Sequence, residues 1–430
     1  MFRFYVFLYN VSLQAYRLAI AVASSRNAKA RQWIKGREGI FDKVEKALKP
    51  NEKRIWVHAS SLGEFEQGRP LIEKIKAEKP DVKIVLTFFS PSGYEIRKNY
   101  PQAGYVFYLP LDTKTNATRF VELINPGIAI FIKYDFWYHY FNELHGRNIP
   151  IILISAVFRE SQIYFKPAGV LHRKMLAMLR HIFVQDGVSM QLLSGLHIEN
   201  NVSIAPDTRI DRVTNIADKA QEIPLVAQFL GGAKALIGGS LYGIENKYLH
   251  EAYNKGLIKS KIIIAPHEVD EESIKHIAAP WGNKAILYTD LQNPANPTHP
   301  KNPNPNPDIL IINTIGLLST LYRYGSMAIV GGGFGKGVHN TLEPAAFGLP
   351  ILFGPNYHKF NEAVAMLALG GAFCFNNEEE LFTTLTKLTD SATLAKAGKA
   401  AQDFIRQNTG GTVMVWDWMK GELGNEYNAF

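Results

Sequence analysis

His339-Asn340-Thr341-Leu342-Glu343-Pro344-Ala345-Ala346-Phe347-Gly348-Leu349-Pro350, entered through Gly331-Gly332-Gly333-Phe334-Gly335-Lys336-Gly337, decides how this chain is read. Upstream, Met327-Ala328-Ile329-Val330 has the continuous apolar character of a short buried strand. Downstream, Leu342 to Phe347 reads as a helix stopped by Gly348 and Pro350. A strand, a glycine loop and a helix start gather backbone N–H groups at the positive end of a helix dipole, which suits a phosphate. Glycines let the backbone approach where a side chain would block it. Glu343, one turn inside, can accept hydrogen bonds from sugar hydroxyls. For a glycine run alone a tight turn in an α/β domain is an equal reading; the ordered His-Asn-x-x-Glu-Pro after it points to a nucleotide-sugar site.

Working outward, short apolar runs alternate with helical patterns. The first set is Ile55–His58, Ile84–Phe88, Ile128–Ile132, Ile151–Ile154, Ile182–Val184 and Val202–Ile204. The pattern restarts with Ala235–Gly238, Ile262–Ala265, Ile309–Ile312, Ala328–Val330 and Ile351–Phe353. Such runs between helices imply parallel strands covered on both faces. The chain, 430 residues long, exceeds one ordinary core. Two doubly wound, Rossmann-like α/β domains facing a cleft are the simplest architecture, with ligands at the carboxyl ends of the strands. The polar, proline-marked stretch from Asp211 to Val226 reads as the hinge. The Asn- and Pro-rich run Asn293 to Pro307 reads as a surface loop without chemistry.

The formal charge of +8 is uneven. Between Arg26 and Arg54, ten Lys or Arg (26, 29, 31, 35, 37, 43, 46, 49, 53, 54) stand against four acids (38, 42, 45, 52). This block follows Phe4 to Ala23, largely apolar but holding Asn10, Gln14 and Arg17 on one helical stripe. Arg17 would be costly near a bilayer centre, and no cleavage site follows the apolar run. The segment reads as a helix lying in a membrane surface, the basic block against anionic head groups. A terminal helix packed on the protein's own core is the other reading. Nucleic acid is disfavoured, since no recognition module is present. A single cysteine, Cys374, excludes an internal disulfide framework and reads as a buried structural thiol. No Asp-x-Asp pair or His cluster suggests a metal site, and no cofactor is implied.

Candidate site residues follow the strands. In His58-Ala59-Ser60-Ser61-Leu62-Gly63-Glu64-Phe65-Glu66, Gly63 permits a sharp turn and Glu64 stands at the mouth of a helix. That is where a general base belongs, although a plain capping carboxylate would sit there too. Glu66, on another side of the turn, reads as solvated. Arg209, in Asp207-Thr208-Arg209-Ile210-Asp211, suits an anionic group; a surface Arg–Asp pair is an equal reading. Lys133-Tyr134-Asp135-Phe136-Trp137 ends another strand on the same rim. Pro266-His267-Glu268 and Ile315-Gly316-Leu317 occupy loops in the second set, where a nucleotide would lie.

Taken together, these motifs resemble the bacterial 3-deoxy-D-manno-octulosonic acid (Kdo) transferases of lipopolysaccharide synthesis, over nearly the whole length. Trp33-Ile34-x-Gly36-Arg37 is similar to the segment after that family's membrane anchor. His58 to Glu64 looks like its His-x-x-Ser-x-Gly-Glu, and Gly332-Gly333 through His339-Asn340-x-Leu342-Glu343 to Gly354-Pro355 resembles its donor loop. The resemblance implies a metal-independent, inverting glycosyltransferase of the GT-B type. Its donor would be CMP-Kdo and its acceptor a lipid A precursor, at the cytoplasmic face of the inner membrane. It also implies an anchoring helix at 1–25, an acceptor domain at 26–212, a CMP-sugar domain at 213–408 and a C-terminal helix at 409–430. Glu64 then matches the base, and Arg209 falls where the family has a charge-stabilising Lys. Pro266, His267, Ile315, Gly316, Leu317, Asn340, Thr341, Leu342 and Glu343 fall on CMP-binding segments. The chain departs from the family at Lys133, where a Glu is usual, at His267 for an Arg, and at Ile315-Gly316-Leu317 for Met-Gly-Glu. Two other readings remain: a UDP-sugar transferase or epimerase of the same architecture, and a non-catalytic membrane-surface binding protein.

Overall fold

The computed structural model describes residues 2–292 and 306–423, with side chains to residue 421. Most of the expected Asn- and Pro-rich loop, residues 293–305, lies outside the described residues. The chain divides into two compact units, Met1–Asp211 with Gly410–Phe430, and Arg212–Thr409.

The first unit is built on seven strands: β1 Arg54–Ala59, β2 Lys83–Phe88, β3 Tyr105–Tyr108, β4 Ile128–Ile132, β5 Ile151–Ala156, β6 His181–Val184 and β7 Val202–Ile204. All pair in parallel in the order β3-β2-β1-β4-β5-β6-β7. β1, β4 and β5 are buried along their whole length, as continuous Ile/Val/Phe runs with helices on both faces must be. The order reverses between β1 and β4, so the segments leaving their carboxyl ends border a crevice that can receive a ligand.

The second unit repeats the plan with β8 Ala235–Leu241, β9 Ile262–Pro266, β10 Ala285–Leu287, β11 Ile309–Ile311, β12 Gly325–Val330, β13 Ile351–Phe353 and β14 Ala372–Cys374. Its parallel order is β10-β11-β9-β8-β12-β13-β14, reversing between β8 and β12. Three strands are missing from the expected sets: β3, β10 and β14, the last marked only as a strand-like run around Cys374. All three are edge strands, paired on one side only, so none needs the long apolar run that marks a central strand. Cys374 ends β14 half-buried, and burial raises its thiol above the ordinary range, so it is protonated and unreactive.

The expected hinge is not a loop. Residues 208–219 form the helix Thr208–Lys219, and Pro224 opens a further helix, Pro224–Leu230. Ile210 and Val213, three apart, are buried, and Pro at a helix start removes only an N–H that had no partner there. The last helix, Gly411–Leu423, belongs to the first unit: Val415, Trp416 and Met419 join its core, and Asp211 accepts hydrogen bonds from the N–H groups of Gly410 (2.5 Å) and Thr412 (2.6 Å).

Helix α1 (Phe2–Ala23) is long and apolar enough to cross a membrane. One of its faces packs on the first unit: Tyr5, Val6 and Tyr9 meet the main core, and Leu13 is buried with Trp33 and Leu111. The opposite face exposes Phe4, Phe7, Leu8, Val11, Leu18 and Val22, which fall within roughly 100° of arc at about 100° per residue. Of the polar stripe, Asn10 reaches inward, its Oδ1 2.7 Å from His139 Nε2, while Gln14 and Arg17 are exposed. Beyond α1 the basic block forms α2 (Ala28–Arg37), capped by Asn27, and α3 (Ile40–Ala47). Arg37 ends α2 with its guanidinium donating to the carbonyls of Trp33, Phe89 and Leu109 and stacked 3.9 Å from the Trp33 ring centre.

Asp112 ties α1 down. It is fully buried and accepts from Tyr9 Oη (2.5 Å), His139 N (3.0 Å) and Tyr140 N (2.9 Å), at the start of the helix Tyr138–Gly146. Burial raises its carboxyl to about 6, against the pull of these three donors. A carboxyl raised by folding stabilises the native state only while protonated. Stability from this group is therefore complete below about pH 4 and lost as pH rises to about 6. Relative to Asp112→Asn, the unfolding free energy of the native protein should fall by about 2–3 kcal/mol across that window. Urea unfolding of both proteins from pH 4 to 7 tests this, and parallel pH profiles would refute it.

Candidate active site

In the first unit, the segments that leave β1 and β4 at the order reversal meet. His58, the one polar side chain pointing from the apolar middle of β1, is fully buried. Its Nε2 lies 2.7 Å from Asp135 Oδ2 and its Nδ1 2.7 Å from Thr87 Oγ1. Thr87 Oγ1 also accepts from Trp56 Nε1 (2.8 Å). With the Asp135 carboxylate accepting, His58 donates through Nε2. Trp137 Nε1, 3.2 Å from the same nitrogen, is the weaker contact. Asp135 Oδ2 also accepts from Ser60 Oγ (2.5 Å). The result is a buried strap joining the ends of β1 and β4. Sequence reading quoted His58 and Asp135 without pairing them; the signal was a histidine inside a strand that is otherwise apolar.

Lys133, first residue after β4, has φ +65°, a left-handed backbone that non-glycine residues rarely adopt, and its N–H donates to Ile154 O. This turn sends Tyr134 and Asp135 back over β1. Strain of this kind is costly and concentrates at functional sites. Glu64 lies in the first turn of α4 (Leu62–Glu78), where Ser61 Oγ donates to its Oε2. One carboxylate oxygen is thereby oriented, while Oε1 carries no such bond among the described residues. Glu66, expected to be solvated, instead pairs with Arg97 (2.8 Å) and Arg69 (3.7 Å). Long arginines from neighbouring turns reach it, which spacing alone does not reveal.

One turn further along α4, Gln67 Nε2 donates to Asp207, and Thr208 Oγ1 donates to the Gln67 carbonyl. Arg209 clasps Asp207 through Nε (3.0 Å) and Nη2 (2.6 Å). Burial would raise the Asp207 carboxyl, but the Arg209 charge and hydrogen bonds hold it below its ordinary range. Glu64, Lys133 and Arg209 thus belong to adjoining segments at one edge of one sheet.

In the second unit, the glycine run works differently from the expected phosphate cradle. Four of its seven N–H groups are already bonded inside the protein: Gly331 to Gly239 O, Gly332 to Glu245 Oε1, and Gly335 and Gly337 to Gly332 O; just after it, Val338 N–H bonds Asn356 O and His339 N–H bonds Gly331 O. The helix after it, Leu342–Ala346, is only five residues long, so its dipole is weak. The glycines serve close packing: an added Cβ at Gly331 would lie 2.1 Å from Ser240 O, and at Gly333 2.5 Å from Gly354 N. Glu245, 1% exposed, anchors the loop by accepting from Gly332 N (2.9 Å) and Tyr242 N (3.2 Å).

This scaffold presents His339, Asn340 and Thr341. The rings of His339 and His267 stack 4.4 Å apart, and Tyr242 lies beside both. Burial, then the His267 charge, lowers His339 to about 4, so it is neutral at physiological pH. Asn340 Oδ1 accepts from Leu342 N (3.1 Å), and the Thr341 hydroxyl is buried with no partner among the described residues. Glu343 stands near the buried Tyr322 phenol, whose ionisation it opposes together with burial. Pro266 is buried at the end of β9, His267 is exposed, and a cavity of about 540 Å³ opens beside them, lined by Tyr242, Glu268 and His276. Ile315 is 87% exposed, next to Gly316 at φ +97° and half-buried Leu317, in the loop that follows β11. Sequence reading had singled out neither Glu245 nor Tyr242. Among the described residues no three His, Cys, Asp or Glu side chains gather as a metal site.

Residues 32–212 match the family model described as 3-Deoxy-D-manno-octulosonic-acid transferase (kdotransferase). A 3-deoxy-D-manno-octulosonic acid transferase of Aquifex aeolicus is 28% identical over 351 residues, covering 80% of this chain and 88% of the relative. One from Haemophilus influenzae is 23% identical over 415 residues, 94% of each chain. Among solved structures, UDP-GlcNAc 2-epimerase of Neisseria meningitidis bound to UDP-GlcNAc superposes with a TM-score of 0.58 at 15% identity, over 85% of this chain and 100% of that one. That likeness shows the fold alone. Two Rossmann-like units of GT-B type and sequence relatives along most of the chain lead to one conclusion: this chain is similar, as a divergent relative, to the Kdo transferases and is a glycosyltransferase.

Proposed function

We propose that the protein moves Kdo from CMP-Kdo to a lipid A precursor of the lipid IVA type, with inversion, in lipopolysaccharide core synthesis. The observation that carries this reading is Glu64, held through Oε2 by Ser61 at the order reversal of the first sheet, with Oε1 left to take a proton. Glu64 removes the proton from a glucosamine 6-hydroxyl as the oxygen attacks the anomeric carbon of Kdo. The bond from that carbon to the CMP phosphate breaks, and CMP leaves with the electron pair. Arg209 and Lys133 offset the negative charge that develops. Residues 26–212 serve the acceptor. Residues 213–408 hold CMP through Pro266, His267, Ile315, Gly316, Leu317 and Asn340 to Glu343.

His267 and Leu317 stand where the family pattern has Arg and Glu, and His339 is neutral, so CMP is held here more by stacking and neutral hydrogen bonds. Calorimetric titration should give CMP binding at least about tenfold tighter than UDP binding, about 1.4 kcal/mol. Equal or reversed affinities would favour a UDP-sugar enzyme of the same fold. Incubation with CMP-Kdo and lipid IVA, read by product mass, tests transfer itself, and an absence of product would leave only a binding protein.

We further propose that α1 lies in the cytoplasmic face of the inner membrane, its packed face toward the protein and its apolar face in lipid. Phe7, Val11 and Leu18 are 60%, 48% and 67% exposed, so changing all three to Asp should leave folding intact. Vesicle co-sedimentation should fall about tenfold or more; unchanged sedimentation would refute the placement.

A further inference from the structure

A cavity of about 730 Å³ in the first unit plays no part in the proposed transfer. Its walls come from α1, α2, α3 and the segment Pro110 to Arg119, and its volume is typical of small-ligand sites, roughly 300–1,000 Å³. Three features set its chemistry. The walls carry both signs of charge: Arg17, Arg119 and the carbonyl-bonded Arg37 against Glu38 and Asp42. Arg119 and Asp42 touch loosely at 3.9 Å with both side chains more than half exposed, and Arg17 and Glu38 have no ion-pair partner among the described residues. Second, Trp33 lines the cavity 94% buried, and its indole N–H has no hydrogen-bond partner among the described residues. A buried donor left unmet is costly unless a ligand oxygen or water completes it. Third, the cavity is continuous with the apolar face of α1: Arg17 and Ala21 line it, while their neighbours Leu18 and Val22 are 67% and 70% exposed.

We infer that this cavity binds the head group of a zwitterionic aminophospholipid, its phosphate between Arg17 and Arg119 and its primary ammonium at Glu38 and Asp42. Guanidinium groups pair with phosphate oxygens through directed N–H bonds, and the Trp33 N–H reaches a further oxygen. The two carboxylates disfavour a head group that is anionic throughout, and they disfavour the phosphate monoesters of a lipid A precursor. A quaternary ammonium has no N–H to donate to them. The acyl chains run out along Leu18 and Val22. The inference rests on the membrane placement of α1 but on no step of the transfer.

The full chain is titrated with dihexanoyl phosphatidylethanolamine, dihexanoyl phosphatidylcholine and dihexanoyl phosphatidylglycerol below their micelle concentrations, with native mass spectrometry counting bound lipid. One phosphatidylethanolamine should bind at least tenfold more tightly than either of the others. Arg17→Gln with Arg119→Gln should weaken it tenfold or more, and Glu38→Gln with Asp42→Asn should bring phosphatidylglycerol up to equal affinity. All four side chains are solvent-facing, so folding should be unaffected, which circular dichroism checks. Equal binding of the three lipids, indifference to both double variants, or displacement by lipid IVA or inorganic phosphate at matching concentration would overturn the inference. Because lipid is counted without turnover, loss of this site and loss of the transferase reading give different results.

Discussion

Glu64→Gln should lower the rate of Kdo transfer by about 10²–10⁴-fold, the usual worth of a positioned general base, while CMP affinity and the unfolding midpoint stay as in the native protein. The substitution keeps the shape of the side chain and its contact with Ser61 but removes the lone pair that takes the proton. Because Glu64 lies in the first turn of α4 and is only half-buried, its loss opens no cavity and leaves no buried charge unpaired. A merely capping carboxylate would behave differently, since removing it would cost helix stability and spare turnover. Steady-state kinetics with CMP-Kdo and lipid IVA, beside thermal unfolding, therefore separate the two roles that spacing alone left equal. Ser61→Ala is the companion. It frees Oε2, loosens the carboxylate, and should cost about tenfold in kcat with the donor KM unchanged. A Glu64→Gln enzyme retaining more than a tenth of the native rate would remove this residue from the mechanism.

What the sequence made legible was set by periodicity. Central strands are continuous apolar runs, and every one of them, from β1 to β13, was visible as such; the edge strands β3, β10 and β14, half-exposed and short, were missing from the expected sets. Side-chain partnerships between distant segments were the least legible. His58 and Asp135 are 77 positions apart and Gly332 and Glu245 87 apart, and only the parallel order of the strands brings each pair together. Composition marked α1 as a membrane segment, but not that Tyr9 and Asn10 would be bound by Asp112 and His139. Polar groups of a helix that are bonded into the protein, as Tyr9 and Asn10 are, do not have to be met by lipid. The glycine run was read as the ligand cradle because glycine suits both roles. Four bonded N–H groups and the tight backbone contacts of Gly331 and Gly333 favour packing, and those belong to structure, not to sequence.

That packing role has a sharp consequence inside one seven-residue loop. Gly331→Ala would place a methyl 2.1 Å from Ser240 O, 2.8 Å from its carbonyl carbon and 2.9 Å from Leu241 Cα, all backbone at the end of β8. Gly333→Ala would meet the backbone of Gly354 at 2.5 and 2.6 Å. Backbone cannot swing aside as a side chain can, so strands β8 and β13 must move or the loop must lift. Either variant should lose about 1–3 kcal/mol of stability, and CMP affinity should fall at least about tenfold as His339 to Glu343 shift with the loop. Gly335 lies in the same run with the same composition around it, yet its added methyl would come no nearer than 3.6 Å to Gly332 O, and the residue is exposed. Gly335→Ala should therefore stay within about 0.5 kcal/mol of the native protein and bind CMP normally. Had the run been a phosphate nest, all three substitutions would weaken nucleotide binding to a similar degree without destabilising the fold. Urea unfolding and CMP calorimetry on the three variants discriminate the two pictures, and equal effects at positions 331 and 335 would end the packing account.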